Sequence, residues 1–134
     1  MGQQSRYSLA RSDCKGCGPE RQEVIWIDCN PQRGREMQDV HPFLVLSPSV
    51  FNARTSLVIG LPMTTAEYNA DNPFAVSVGT TKIRKTSQSS YVLCHQPKSL
   101  DWREQAATPY PIGTLAQGVF SEVLLVFNQI VKIA

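Results

Sequence analysis

Five short apolar runs, each bounded by proline, glycine or polar turn residues, confine this chain to a small β-structure. Residues 24–27, 43–46, 56–62, 74–78 and 90–94 are rich in β-branched and aromatic side chains and too short for core helices. Pro42 and Pro48 bracket the second run, Pro62 ends the third and Gly79 ends the fourth. Residues 65–73 and 79–89 read as turn-rich connections, the second carrying the basic trio Lys82, Arg84 and Lys85. Strands at this spacing predict a curved antiparallel sheet or small barrel.

The tail has a different period. After the breakers Pro111 and Gly113, Thr114 stands where an N-cap is expected. Leu115, Val119, Val123, Phe127 and Ile130 then recur at helical spacing, with Leu124, Val126 and Val131 widening the stripe. This predicts a helix over 115–132 whose broad apolar face packs on the sheet.

A chain of 134 residues supports one core. Residues 1–22 lack apolar periodicity and are expected to be a flexible extension, leaving 23–134 as the domain. They contain no apolar stretch of the secretory kind, and no run approaches the length of a membrane span, so the expected compartment is the cytosol, with no membrane partner. Arg6, Arg11, Lys15 and Arg21 against Asp13 and Glu20 put the net charge of +2 in this extension. The body is neutral, so nucleic-acid contact requires a few well-placed cations in a groove rather than bulk charge.

Cys14 and Cys17 are spaced like half of a zinc knuckle, but Cys29 and Cys94 sit alone inside strand-like runs. A four-ligand site is not assembled by this pattern, and no metal or cofactor is expected. Trp26 and Phe51 are expected in the core or at an interface. Trp102 is read equally as a base-stacking residue or as packing beneath a loop.

Between the first two runs lies a polar loop containing Asp28, Pro31, Arg33, Gly34, Arg35, Glu36 and, at its end, His41 before Pro42. Ionisable groups on a loop held by two strands are how small scaffolds present chemistry. The order Asp–x–x–Pro–x–x–Gly–x–Glu, then a strand ending in Ser47–Pro48, resembles the MazF/PemK toxins. Further along, Leu61-Pro62-Met63-Thr64-Thr65 resembles that family's Pro-x-Thr-Thr/Ser turn. The segment from Leu93 through Gln96, Lys98 and Asp101 to Arg103 resembles its Asp-Gln-x-Lys/Arg-Ser/Thr-Ile/Leu-Asp stretch. The pieces fall in order along residues 23–133.

The resemblance implies a mainly β (β-rich α+β) fold, an SH3-like small barrel with a C-terminal helix, forming a homodimer with a groove at its two-fold. It also implies a sequence-selective, metal-independent endoribonuclease of a toxin–antitoxin system, cutting single-stranded mRNA and inhibited by a cognate antitoxin. Carried over residue by residue, Glu36 matches the loop glutamate and Thr64 the turn threonine. Thr65, Gln96 and Lys98 match positions near the groove. The arginine before proline is His41 here, and where some members have a strand-end Arg-x-Asp this chain has Leu93 and His95. A guanidinium never titrates in the working range, so its loss is not conservative.

Two expectations follow. In the first, His41 and His95, the chain's two histidines, form an acid–base pair with Glu36 and Thr64, while Arg33 or Arg35 holds the phosphate. In the second, the fold persists as a non-enzymatic or catalytically decayed module that engages an antitoxin or a protein target such as a topoisomerase.

Overall fold

In the computed structural model, residues 18–28, 40–83 and 86–132 are described. Glu36, Arg33, Arg35, Arg84, Lys85 and the cysteines at 14, 17 and 29 lie outside these residues. The elements in chain order are β1 (Glu23–Asp28), β2 (Val40–Val45), α1 (Ser49–Thr55), β3 (Leu57–Thr64), a 3₁₀ turn (Glu67–Asp71), β4 (Ala75–Ile83), β5 (Thr86–Leu93), β6 (Lys98–Asp101), β7 (Thr108–Thr114) and α2 (Gln117–Val131). All strand pairs are antiparallel, in the order β4-β5-β3-β2-β1-β7, with β6 also on β3.

Alternation along the central strands splits the apolar residues into two clusters. Val24 and Leu44 face a core with Leu61, Met63, Val92, Phe120 and Val123, closed by the inner face of α2. Ile25, Ile27, Phe43, Val45 and Val58 face the other way, under Leu100, Trp102 and Ala107. Each step of one residue reverses the face, which is why both runs read as continuously apolar. Trp26 packs on the first cluster with its ring 4.7 Å from that of Tyr110. Trp102 is 2% exposed and its Nε1 donates to the Asn52 carbonyl at 2.8 Å, so packing, not base stacking, is its role.

Several elements differ from expectation. β4 and β5 continue through 79–89, held as a ladder from Thr80↔Ser89 to Ile83↔Thr86. β6, β7 and α1 were not foreseen. Thr114 ends β7 rather than capping a helix, and α2 begins after Ala116. Residues 18–22, assigned to the extension, are tied to the body. Gln22 donates its backbone N–H to the Val45 carbonyl at 2.7 Å and its side-chain amide to the Leu115 carbonyl at 2.6 Å. Arg21 donates to the Leu46 carbonyl at 2.6 Å. Among the described residues, no helix is long and apolar enough to cross a membrane.

Candidate active site

The site arises where β3 changes partners. Along one edge, Leu57 to Gly60 pair with Asp101 to Lys98 of β6. Further on, Met63 and Thr64 pair instead with Val92 and Tyr91 of β5. Between these ladders the chain from Leu93 to Lys98 leaves the sheet in a turn, closed by Gln96 N–H donating to the Leu93 carbonyl at 3.2 Å. On the opposite edge β2 runs beside β3 with Phe43 level with Pro62. His41 and Thr64 each lie two residues beyond this last pair on their own strands.

The interruption leaves an open hollow of about 250 Å³ lined by His41, Pro62, Met63, Thr64, Leu93, Gln96 and Lys98. That is below the roughly 300–1,000 Å³ of pockets that enclose drug-sized ligands, and suits a phosphate with part of its sugar. Its polar groups are an imidazole, a hydroxyl, an amide and an ammonium, with no carboxylate among the lining residues. Such a set favours an anion. Thr64 Oγ1 accepts the Ala66 N–H at 3.1 Å, which orients the hydroxyl and leaves its own hydrogen to donate. Met63, 2% exposed, forms the apolar floor.

The expected residues therefore divide. His41, Thr64, Gln96 and Lys98 meet in one hollow, although they come from separate strands and a turn. Thr65 follows Thr64 in the chain and is not among the lining residues. His95 is on the rim, exposed, and its ring packs against Phe74 with centroids 5.8 Å apart rather than lining the hollow beside His41. The connection carrying Arg33, Arg35 and Glu36 leaves β1 at Asp28 and returns at Val40, which are paired, one residue before His41. Pro62, Met63 and Leu93 also line the hollow; in the sequence they stand within the family-like motifs, Pro62 as a strand end and Leu93 at the strand-end arginine position, and were not assigned to the site.

The far end of the 93–103 segment is pinned by Asp101. Its carboxylate accepts from Ser56 Oγ at 2.8 Å and from the backbone N–H groups of Arg103 at 3.0 Å and Glu104 at 2.9 Å. Partial burial pushes the acid's pKa up, but these bonds and the Arg103 charge outweigh it and hold Asp101 below the ordinary carboxylate value. Among the described residues, no group of three or more His, Cys, Asp or Glu side chains converges as metal ligands would.

A small antiparallel β-scaffold with a C-terminal helix, opening an anion-seeking hollow at the strand where pairing switches, is the class of molecule defined so far. Comparison with known proteins makes it specific. The family description "PemK-like, MazF-like toxin of type II toxin-antitoxin system" matches residues 20–131. The endoribonuclease toxin MazF of Escherichia coli K12 is 32% identical over 98 residues, covering 73% of this chain and 80% of that protein. The endoribonuclease PemK of Escherichia coli is 33% identical over 106 residues, covering 78% and 76%. A crystal structure of MazF from Deinococcus radiodurans superposes with a TM-score of 0.67 at 28% identity, covering 86% of this chain and 97% of that one. A MazE–MazF structure from the same organism gives 0.69 at 28% identity, covering 87% and 97%. This chain belongs to the PemK-like, MazF-like toxin family of type II toxin–antitoxin systems.

Proposed function

We propose that the chain is the toxin of a toxin–antitoxin pair, a homodimeric, cytosolic endoribonuclease that cuts single-stranded mRNA at selected sequences and is restrained by a cognate antitoxin. Membership of the family, relatives named as endoribonucleases, and the likeness to a MazE–MazF structure support this reading. The single observation that carries the chemistry is the convergence of His41, Thr64, Gln96 and Lys98 on one phosphate-sized hollow.

In this reading the 2′-oxygen of the RNA attacks the adjacent phosphorus. Its proton passes to Glu36, the phosphorus–5′-oxygen bond breaks, and the departing 5′-oxygen takes a proton from His41. The products are a 2′,3′-cyclic phosphate and a free 5′-hydroxyl. Lys98 balances the charge that grows on the non-bridging oxygens, and Thr64 and Gln96 donate hydrogen bonds to them. Arg33 and Arg35 contribute further cations from the β1–β2 connection. Thr65 extends the donor edge beyond Thr64. Each positioned acid or base accounts for roughly 10²–10⁴-fold in rate.

Incubating the purified chain with a long single-stranded RNA in chelator tests the proposal. Cuts at a recurring sequence, leaving cyclic phosphate ends, are expected. Intact RNA together with growth arrest on expression would overturn it in favour of a toxin that binds a protein target.

A further inference from the structure

The rim of the hollow holds a second feature that the proposed chemistry leaves unused. His95 lies in the turn between β5 and β6, with Gln96, a lining residue, as its neighbour. Its ring is backed by Phe74 at 5.8 Å and a 44° tilt, and its Nε2 lies 3.3 Å from Gln96 Nε2. Phe74 is itself 44% exposed. The pair is fixed from below. Phe74 N–H donates to Asn72 Oδ1 at 2.9 Å, the Phe74 carbonyl accepts Cys94 N–H at 2.9 Å, and Asn72 is anchored through its amide to the buried Asn69 at 3.1 Å.

Two flat rings held at the surface, beside a phosphate-sized hollow, form a surface on which a base can stack. We propose that His95, supported by Phe74, is a specificity-determining residue that stacks on a nucleobase flanking the cleaved phosphate, rather than a proton carrier. Gln96 spans the two environments, reaching the phosphate side of the hollow while its amide touches the imidazole. The Gln96 amide, held beside the imidazole, offers hydrogen bonds to the edge of the stacked base. This assignment rests on the proposed nuclease reading and adds the ligand chemistry of its rim, a nucleobase of single-stranded RNA.

The test is steady-state cleavage of a single-stranded RNA carrying the mapped cut sequence, by the native chain and by the His95→Ala, His95→Phe and Phe74→Ala variants. His95→Ala and Phe74→Ala are expected to raise KM about tenfold, the scale of one base stack, with kcat changed far less. His95→Phe, which keeps a flat ring, is expected to restore KM while relaxing the preference for the base beside the cut. A hundredfold or greater loss of kcat in both His95 variants would overturn the assignment and make His95 a proton carrier. An unchanged KM in His95→Ala would overturn it too, since His95 is exposed and its replacement does not threaten folding. If the native chain leaves the RNA uncut, the nuclease reading falls and this inference with it; cutting with either contrary result removes this inference alone.

Discussion

Gly60 and Leu44 approach so closely across the β2–β3 pairing that a β-carbon on Gly60 would overlap the Leu44 carbonyl oxygen and lie 2.8 Å from Cε2 of Phe43. Gly60 is also the last β3 residue paired to β6, opposite Lys98, before the strand changes partners. One missing side chain therefore sets how tightly β2, which carries His41, lies against β3, which carries Thr64.

Gly60→Ala is accordingly expected to force β2 and β3 apart. Overpacking of this kind costs on the order of 1–3 kcal/mol, and backbone on one side leaves little room to relax. Urea unfolding should show a lower midpoint with an unchanged slope. Cleavage should fall further than the stability loss explains, because the hollow opens at the same place.

Asp101 gives a prediction in acid. Its folded pKa lies below the ordinary carboxylate value, so the unfolded chain takes up the proton first as pH falls. The stabilisation is complete above the ordinary carboxylate range and is lost as pH drops through the folded value. Asp101→Asn keeps the shape but weakens acceptance from Ser56 Oγ and two backbone N–H groups. A loss of about 1–2 kcal/mol is expected at neutral pH, comparable to removing a capping side chain. The difference from the native chain should shrink below pH 4, roughly where carboxylates protonate; a difference that persists there would show that packing, not charge, is at stake.

The buried thiol of Cys94 predicts the opposite limb. Burial and the nearby Glu122 charge push it from 9.0 to about 11. The unfolded thiol ionises first as pH rises, so this group's contribution is present below 9.0 and is lost between there and about 11. Comparing native and Cys94→Ala chains by thermal melting across this range should isolate the effect. Peptide mass mapping after alkylation near pH 8 should find Cys94 unmodified in the folded protein and modified after denaturation.

How far these features could be read from the sequence depended on what each residue had to satisfy alone. β1, β2, β3 and β5 were legible because Val24, Ile25, Phe43, Leu44, Val58 and Val92 are apolar wherever they sit. β6 and β7 were not. Lys98–Asp101 and Thr108–Thr114, the latter with two prolines, become strands through pairing with β3 and β1 rather than by propensity. The Thr- and Ser-rich ladder between β4 and β5 likewise depends on register, which composition does not reveal. In the candidate site, Thr64, Gln96 and Lys98 were singled out from motifs of the resemblance and His41 as a departure from one; that the four line one hollow is a matter of folding. The position of His95, against Gln96 but outside the lining, was not legible, because it follows from the direction of the turn between two strands that share β3 as partner.

His41 offers the most direct test of the chemistry, since it lines the hollow and is the group proposed as the acid. His41→Ala is expected to lower kcat by about 10²–10⁴-fold, the value of one positioned acid or base, with the fold intact by circular dichroism. His41→Arg is more informative. A guanidinium holds a phosphate with fixed charge and forked donors but is a far weaker acid than an imidazolium. If His41 acts as the acid, the arginine variant should bind the RNA with a KM near the native one while kcat stays low. A kcat restored to the native level by the arginine would remove His41 from the proton-transfer role and leave it as a contact to the phosphate.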